Sequence, residues 1–105
     1  MAGTLINTRR TGDGTAVVEI HGEVDISCAP ELWQILVDVA ETRPTQVMVE
    51  LRHLTFIDST GIGALVAGRN TARSLGIGFR VRNPSPFITT QLHQTGLYST
   101  LVEGD

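Results

Sequence analysis

Short β-rich runs alternate with segments of helical spacing along most of this chain, and that alternation limits what it can fold into. Residues 15–21, 46–51 and 79–82 read as strands, because Val, Ile, Met, Phe and Leu dominate them. Between the first two runs, Leu32, Ile35, Leu36 and Val39 recur at the i, i+3, i+4, i+7 spacing of one buried helical face. Residues 61–75 read as a second helix, with Ile62, Leu65, Val66 and Ala72 near one face. Strand, helix, strand, helix, strand calls for right-handed crossovers and hence a partly parallel sheet. Ahead of this series, residues 5–10 form an edge strand, and the turn-like Thr11-Gly12-Asp13-Gly14 joins it to 15–21 as a hairpin. The expected fold class is α/β: a small sandwich whose mixed, mostly parallel sheet is opened by a β-hairpin and carries packed helices. Residues 1–105 are expected to form a single domain, since no repeat, low-complexity tract or Pro/Gly-rich linker divides them.

The element boundaries follow from local chemistry. Gly22 is expected to break the second strand. The first helix should start near residues 28–30, because proline is tolerated in a first turn where its missing N–H costs nothing. Arg43-Pro44 should end it. Leu32, Ile35, Leu36 and Val39 are its expected buried set, with Trp33 and Val37 partly exposed. Residues 52–58 read as a loop, and Gly76 matches the glycine found just past a helix end. Residues 86–95 read as a third helix closed by Gly96, and 97–102 as a short terminal strand or helical turn.

Composition excludes several function classes. Aromatic residues make up only 5%, so a core here must be built from Val, Ile, Leu and Ala. The formal net charge of -3 and the separation of Arg9/Arg10, Arg69/Arg73 and Arg80/Arg82 into small groups argue against a nucleic-acid binder. The one cysteine, Cys28, can form neither an internal disulfide nor a cysteine zinc site. His21, His53 and His93 lack metal-ligand spacing, so no metal site is expected. Residues 1–10 lack the apolar core of a signal peptide, and no apolar stretch approaches the length of a membrane span. A cytoplasmic protein that contacts no membrane is therefore expected.

Chemistry concentrates in Phe56-Ile57-Asp58-Ser59-Thr60-Gly61-Ile62-Gly63-Ala64-Leu65. A helix is expected to begin at residues 58–60, where Asp, Ser or Thr oxygens accept unsatisfied backbone N–H groups. The partial positive charge of that end also suits an anion, so an exposed serine there could hold a phosphate. Ser59 or Thr60 could equally be only a helix cap. Gly61 and Gly63 weigh against that, since glycine in a helix costs up to about 1 kcal/mol relative to alanine and calls for compensation. With Ala64, Ala67 and Gly68 they make a smooth surface that either the chain's own sheet or a partner could approach closely. A dinucleotide fingerprint fails because Val66 stands where its third glycine belongs. A hydrolase nucleophile elbow, G-x-S-x-G, is not matched by Asp58-Ser59-Thr60-Gly61. No catalytic residue and no cofactor are expected.

The residues from about 4 to 102 resemble the STAS family, and within it the bacterial anti-sigma-factor antagonists. The resemblance rests on Phe56-x-Asp58-Ser59-Thr60-Gly61-x-Gly63, on Gly22-Glu23-Val24-Asp25, and on the strand that starts at Gly78. It implies a partner switch. The unphosphorylated antagonist binds an anti-sigma factor that is also a serine kinase, and a PP2C-type phosphatase reverses the phosphorylation. By position, the resemblance makes Ser59 the acceptor, with Thr60 a secondary candidate. It puts Asp25, Asp58, Ser59, Thr60, Gly61, Gly63 and Ala64 on the partner-binding face. Cys28 stands where the family often has a hydroxyl residue opening the first helix, and is read as a small, half-buried stand-in for it. Two rival functions remain open at this level. One is a STAS subunit that docks, without phosphorylation, on a transporter ATPase or a stress-signalling complex. The other is a small-ligand or nucleotide-binding module.

Overall fold

The strand β2, Ala16–Val24, carries the sheet, because three other strands hydrogen-bond to it. In the computed structural model, which describes residues 3–104, β1 (Thr4–Arg10) runs antiparallel to β2 and sets Thr4 against Gly22 and Arg10 against Ala16. The first half of β2 pairs in parallel with β3 (Gln46–Glu50), and its last residues pair in parallel with β4 (Leu54–Ile57). β5 (Gly78–Arg82) lies parallel on the other side of β3. The order β1-β2-β3-β5, with β4 beside the far end of β2, is the mixed, mostly parallel sheet opened by a hairpin that the alternation predicts.

Two local readings change. Gly22 does not break β2; it marks an irregular step in the strand. Its φ is +93°, and a side chain there would run into the backbone carbonyl of Gly3. The pairing register with β4 shifts between Gly22 and Glu23, and Thr55 fills the step with its hydroxyl on Gly22 O at 3.0 Å. Glycine therefore lets one strand change partners rather than stop. The segment 52–58, expected to be a loop, contains β4. Its four residues set exposed Thr55 and Phe56 between buried Leu54 and Ile57, a run with no alternation and too short to stand out from its neighbours.

The helices α1 (Ala29–Glu41), α2 (Ser59–Ser74), α3 (Pro86–Gln94) and the short π-type α4 (Ser99–Glu103) cover one face of the sheet. Val18 and Ile20 of β2, Val49 of β3 and Val81 of β5 share one buried cluster with Leu36, Leu65, Ile88, Leu92 and Leu101. The buried stripe of α1 is Ala29, Leu32, Leu36 and Ala40, whereas Ile35 and Val39 are only half-buried at its border. Spacing by size favoured the large residues, but α1 lies close enough to its neighbours that alanines fill the contact. Trp33 is 44% exposed and Val37 half-buried, as the helical phase predicts. Val66 of α2 is likewise half-buried. Residues 97–102, expected as a strand or helical turn, fall within and just before α4.

Close approach of α2 explains two of its glycines. A Cβ on Gly68 would lie 2.9 Å from Leu36 Cβ of α1, and one on Gly61 would lie 2.7 Å from Val24 Cγ1 and 2.6 Å from Ile57 Cγ1. Gly63 differs, because a Cβ there meets nothing within 4 Å. Gly68→Val is therefore expected to lower unfolding stability by about 1–3 kcal/mol through overpacking. Gly63→Ala should raise it by up to about 1 kcal/mol through helix propensity alone. Urea denaturation of both variants measures the contrast.

The opposite sheet face holds a buried carboxylate. Glu50 is 5% exposed, with Oε1 accepting from Arg82 Nε at 2.7 Å and Asn83 Nδ2 at 3.1 Å, and Oε2 accepting from the Arg52 N–H at 3.0 Å. Asn83 sits at φ +56°, a left-handed conformation that asparagine tolerates, directly after β5. Glu19 faces Glu50 across the β2–β3 pairing, and lies 3.2 Å from His21 Nε2. Each of the two carboxylates thus has its own basic neighbour. Burial by itself would raise the Glu50 pKa, but the hydrogen bonds from Arg82, Asn83 and Arg52 outweigh it and hold the carboxyl below its ordinary value of 4.5. A group depressed in the folded state stabilises fully above its unfolded pKa, and that contribution is lost as pH falls through the folded pKa. The stability difference between the parent and Glu50→Gln should therefore be constant above about pH 5 and shrink below the ordinary value, as followed by urea denaturation across acid pH.

Candidate functional site

Two loops leave the sheet side by side because β2 and β4 are parallel and end in register, Val24 beside Ile57. The Asp58 N–H extends the pairing by donating to Val24 O at 3.1 Å. Asp25 and Asp58, each one residue past a strand end, therefore open two neighbouring loops at one edge of the sheet. Asp25 Oδ1 accepts the Ser27 N–H at 2.9 Å and the Ser27 hydroxyl at 2.6 Å, while its backbone carbonyl accepts from Cys28 and Ala29. This tight turn starts α1. Cys28 occupies the cap position without a side-chain capping bond and is half-buried, with Sγ 3.3 Å from the Thr4 hydroxyl.

The start of α2 is capped by Asp58, not by Ser59 or Thr60. Asp58 Oδ1 accepts the Gly61 N–H at 3.1 Å and the Thr60 hydroxyl at 2.5 Å. The Thr60 hydroxyl and then the Gly61 N–H hold the Asp58 carboxyl below the usual carboxylate range, so it stays anionic at neutral pH. With the cap supplied by its neighbour and Thr60 bound to that neighbour, Ser59 is left exposed as the first helical residue. Its hydroxyl lies at the helix end where unpaired N–H groups favour an anion.

Of the small residues along this helix start, Gly61 faces inward onto Val24 and Ile57, and Ala64 is 6% exposed. Gly61 thus serves the chain's own packing and presents no outer surface, because the helix must settle directly on the two strand ends. Gly63 is the exposed one, and it forms a ridge between two shallow grooves. The groove of about 460 Å³ runs from Ser59 along Ile62 and Val66 toward Leu97. The groove of about 370 Å³ lies between α1 and α2, with Ile26 and Trp33 on one wall and Thr60, Ala64 and Ala67 on the other.

One residue of this site carries no sequence signal. Gln91 of α3 donates its Nε2 N–H to Ile57 O at 2.8 Å and so fixes the strand end that precedes Asp58. A lone glutamine in a polar helical stretch has no periodicity or motif to mark it. Among the described residues no group of three or more His, Cys, Asp or Glu is placed to hold a metal ion, and no helix is long and apolar enough to cross a membrane.

The sequence matches the family described as "Mlab, STAS domain" over residues 7–103. The anti-sigma-B factor antagonist of Bacillus subtilis (strain 168) is 31% identical over 80 residues, 76% of this chain and 72% of that protein. The chain spans about half the length of the anti-sigma-B factor antagonists of Staphylococcus epidermidis that it also matches, 52% of each. An anti-sigma factor antagonist from Mycobacterium paratuberculosis superposes with a TM-score of 0.72 at 29% identity, covering 96% of this chain and 83% of that one. The phosphorylated form of the Bacillus cell fate determinant SpoIIAA shares the fold, with a TM-score of 0.69 at 18% identity over 93% of this chain and 89% of that one. With a family match that spans nearly every element from β1 to α4, the chain belongs to the STAS-domain family.

Proposed function

We propose that this protein is an anti-sigma-factor antagonist that works as a phosphorylation-controlled partner switch in the cytoplasm. Unphosphorylated, it binds an anti-sigma factor that is also a serine kinase. Phosphorylation of Ser59 ends the binding, and a PP2C-type phosphatase restores it. The protein itself acts by binding and not by catalysis. The observation that carries this reading is the division of labour at the start of α2. Asp58 caps the helix and engages Thr60, which leaves the Ser59 hydroxyl exposed and uncommitted. The family membership and the anti-sigma-B factor antagonists among its relatives support the reading.

The energetics need no refolding. A phosphate adds about -1.5 to -2 charges at pH 7. The helix N-terminus tolerates that charge in water, but anionic Asp58 beside it does not help to bury it against a partner. A repelled or unpaired charge at an interface costs several kcal/mol, and every 1.4 kcal/mol is tenfold in affinity. A thousandfold loss of binding therefore needs only about 4 kcal/mol.

Reaction with the cognate kinase and ATP should place phosphate on Ser59, read by tandem mass spectrometry. Phosphate found mainly elsewhere, or none from a kinase shown to be active and to bind this protein, would refute the assignment. In titrations against the same kinase, Ser59→Asp should weaken binding at least about tenfold, whereas Ser59→Ala should bind like the parent and fail to switch. Gly63→Leu should also weaken binding. A Cβ at Gly63 meets nothing within 4 Å, so circular dichroism should be unchanged.

A further inference from the structure

The groove between α1 and α2 has a chemistry of its own beside Ser59. Ile26 is 72% exposed and Trp33 is 44% exposed, and both stand over the small side chains of Ala64 and Ala67, with the Gly63 ridge at the border. Scattered surface apolar residues are ordinary, but two large ones on one groove floored by small side chains make a receptacle. The charges around it have one sign. The sequence contains no lysine, and no arginine lies between Arg10 and Arg43. Along the same stretch stand Glu23, Asp25 and Glu31, with Asp58 opening the other wall. The first basic residue of α2, Arg69, follows Ala67 by two positions but lines a different groove, with Arg73 and Phe79.

We infer that this groove is the affinity anchor of the docking face. Its occupant is a protein surface that inserts one apolar side chain between Trp33 and Ala67 and surrounds it with Lys or Arg side chains matching Asp25 and Glu31. The inference rests on the partner-switch reading and adds to it the chemistry of the partner. Trp33 is the dominant contact, since an exposed tryptophan on the rim of a groove can be fully covered on binding, and such residues carry most of the energy of an interface. Asp25 and Glu31 set the rate of encounter more than the final affinity. The two sides of Gly63 then have different tasks. Attraction acts on the α1 side. On the Ser59 side the acceptor hydroxyl meets the phosphates of the kinase-bound nucleotide, and a phosphate already on Ser59 repels them. A basic partner can therefore bind this acidic face and still release it on phosphorylation.

The test uses the full chain and the kinase that phosphorylates Ser59. Trp33→Ala should lose at least about tenfold in affinity with an unchanged circular dichroism spectrum, and Trp33→Phe should recover most of the loss. Glu31→Lys should slow association about three- to tenfold at low salt, with the difference vanishing at high salt, while Glu103→Lys serves as a control that should change nothing. If the parent binds and is phosphorylated on Ser59, yet Trp33→Ala and Glu31→Lys bind like the parent, the anchor lies elsewhere and this inference falls alone. If the parent neither binds nor is phosphorylated, the partner-switch reading falls and takes the inference with it. If sedimentation shows the parent as a dimer and Trp33→Ala as a monomer, a second copy of the chain covers the groove and the basic partner is refuted.

Discussion

The parallel pairing of β2 with two successive partners is the constraint on which the site depends. β2 needs nine residues to serve β3 and then β4, and the change of partner requires the step at Gly22. Had the strand ended there, Val24 and Ile57 would not lie side by side. Asp25 and Asp58 would then open unrelated loops, and the proposed docking face would not form one surface. A side chain at Gly22 meets backbone, not a movable side chain, so neighbouring rotamers cannot relieve it.

The start of α2 divides its few residues among incompatible tasks. Gly61 and Gly68 let the helix come down on Val24, Ile57 and Leu36, which fixes its height above the sheet. Asp58 supplies the cap and holds the Thr60 hydroxyl. What remains for the outside is Ser59 and the bare ridge of Gly63, between a groove toward Leu97 and a groove toward Trp33. A hydroxyl that caps its own helix is spent on a backbone N–H. One released from that role is open to modification, and here a carboxylate provides the release.

Two acidic residues show how environment assigns roles. Glu50 and Asp58 both have depressed pKa values, through different partners. Glu50 is buried on the open sheet face and satisfied by Arg82, Asn83 and a backbone N–H, so it ties β3 to β5. Asp58 is anchored by a hydroxyl and a helix N–H at the surface, so its charge stays beside the exposed Ser59. One carboxylate acts within the fold and the other at its boundary.

The sequence by itself determined the class of fold and the approximate helix phases, because alternation of β-rich runs with helical spacing is a local property. The hairpin at 11–14, the helix stops at Pro44, Gly76 and Gly96, and the outward set of Trp33 are all legible from neighbours within a few positions. The segment 56–65 announced a helix start in the same way, but left open whether Ser59 or Thr60 is merely its cap. Only the tertiary structure decided which small residues face inward, since Gly61 and Gly63 are alike in sequence and differ solely in what lies opposite them. It also decided that Gly22 continues a strand, that β4 exists, that Asp58 is the cap, and that Glu50 and Gln91 reach partners 32 and 34 residues away. The physical reason is the same in each case: these features depend on contacts between distant segments, and no pattern confined to one segment can encode what its side chains will meet.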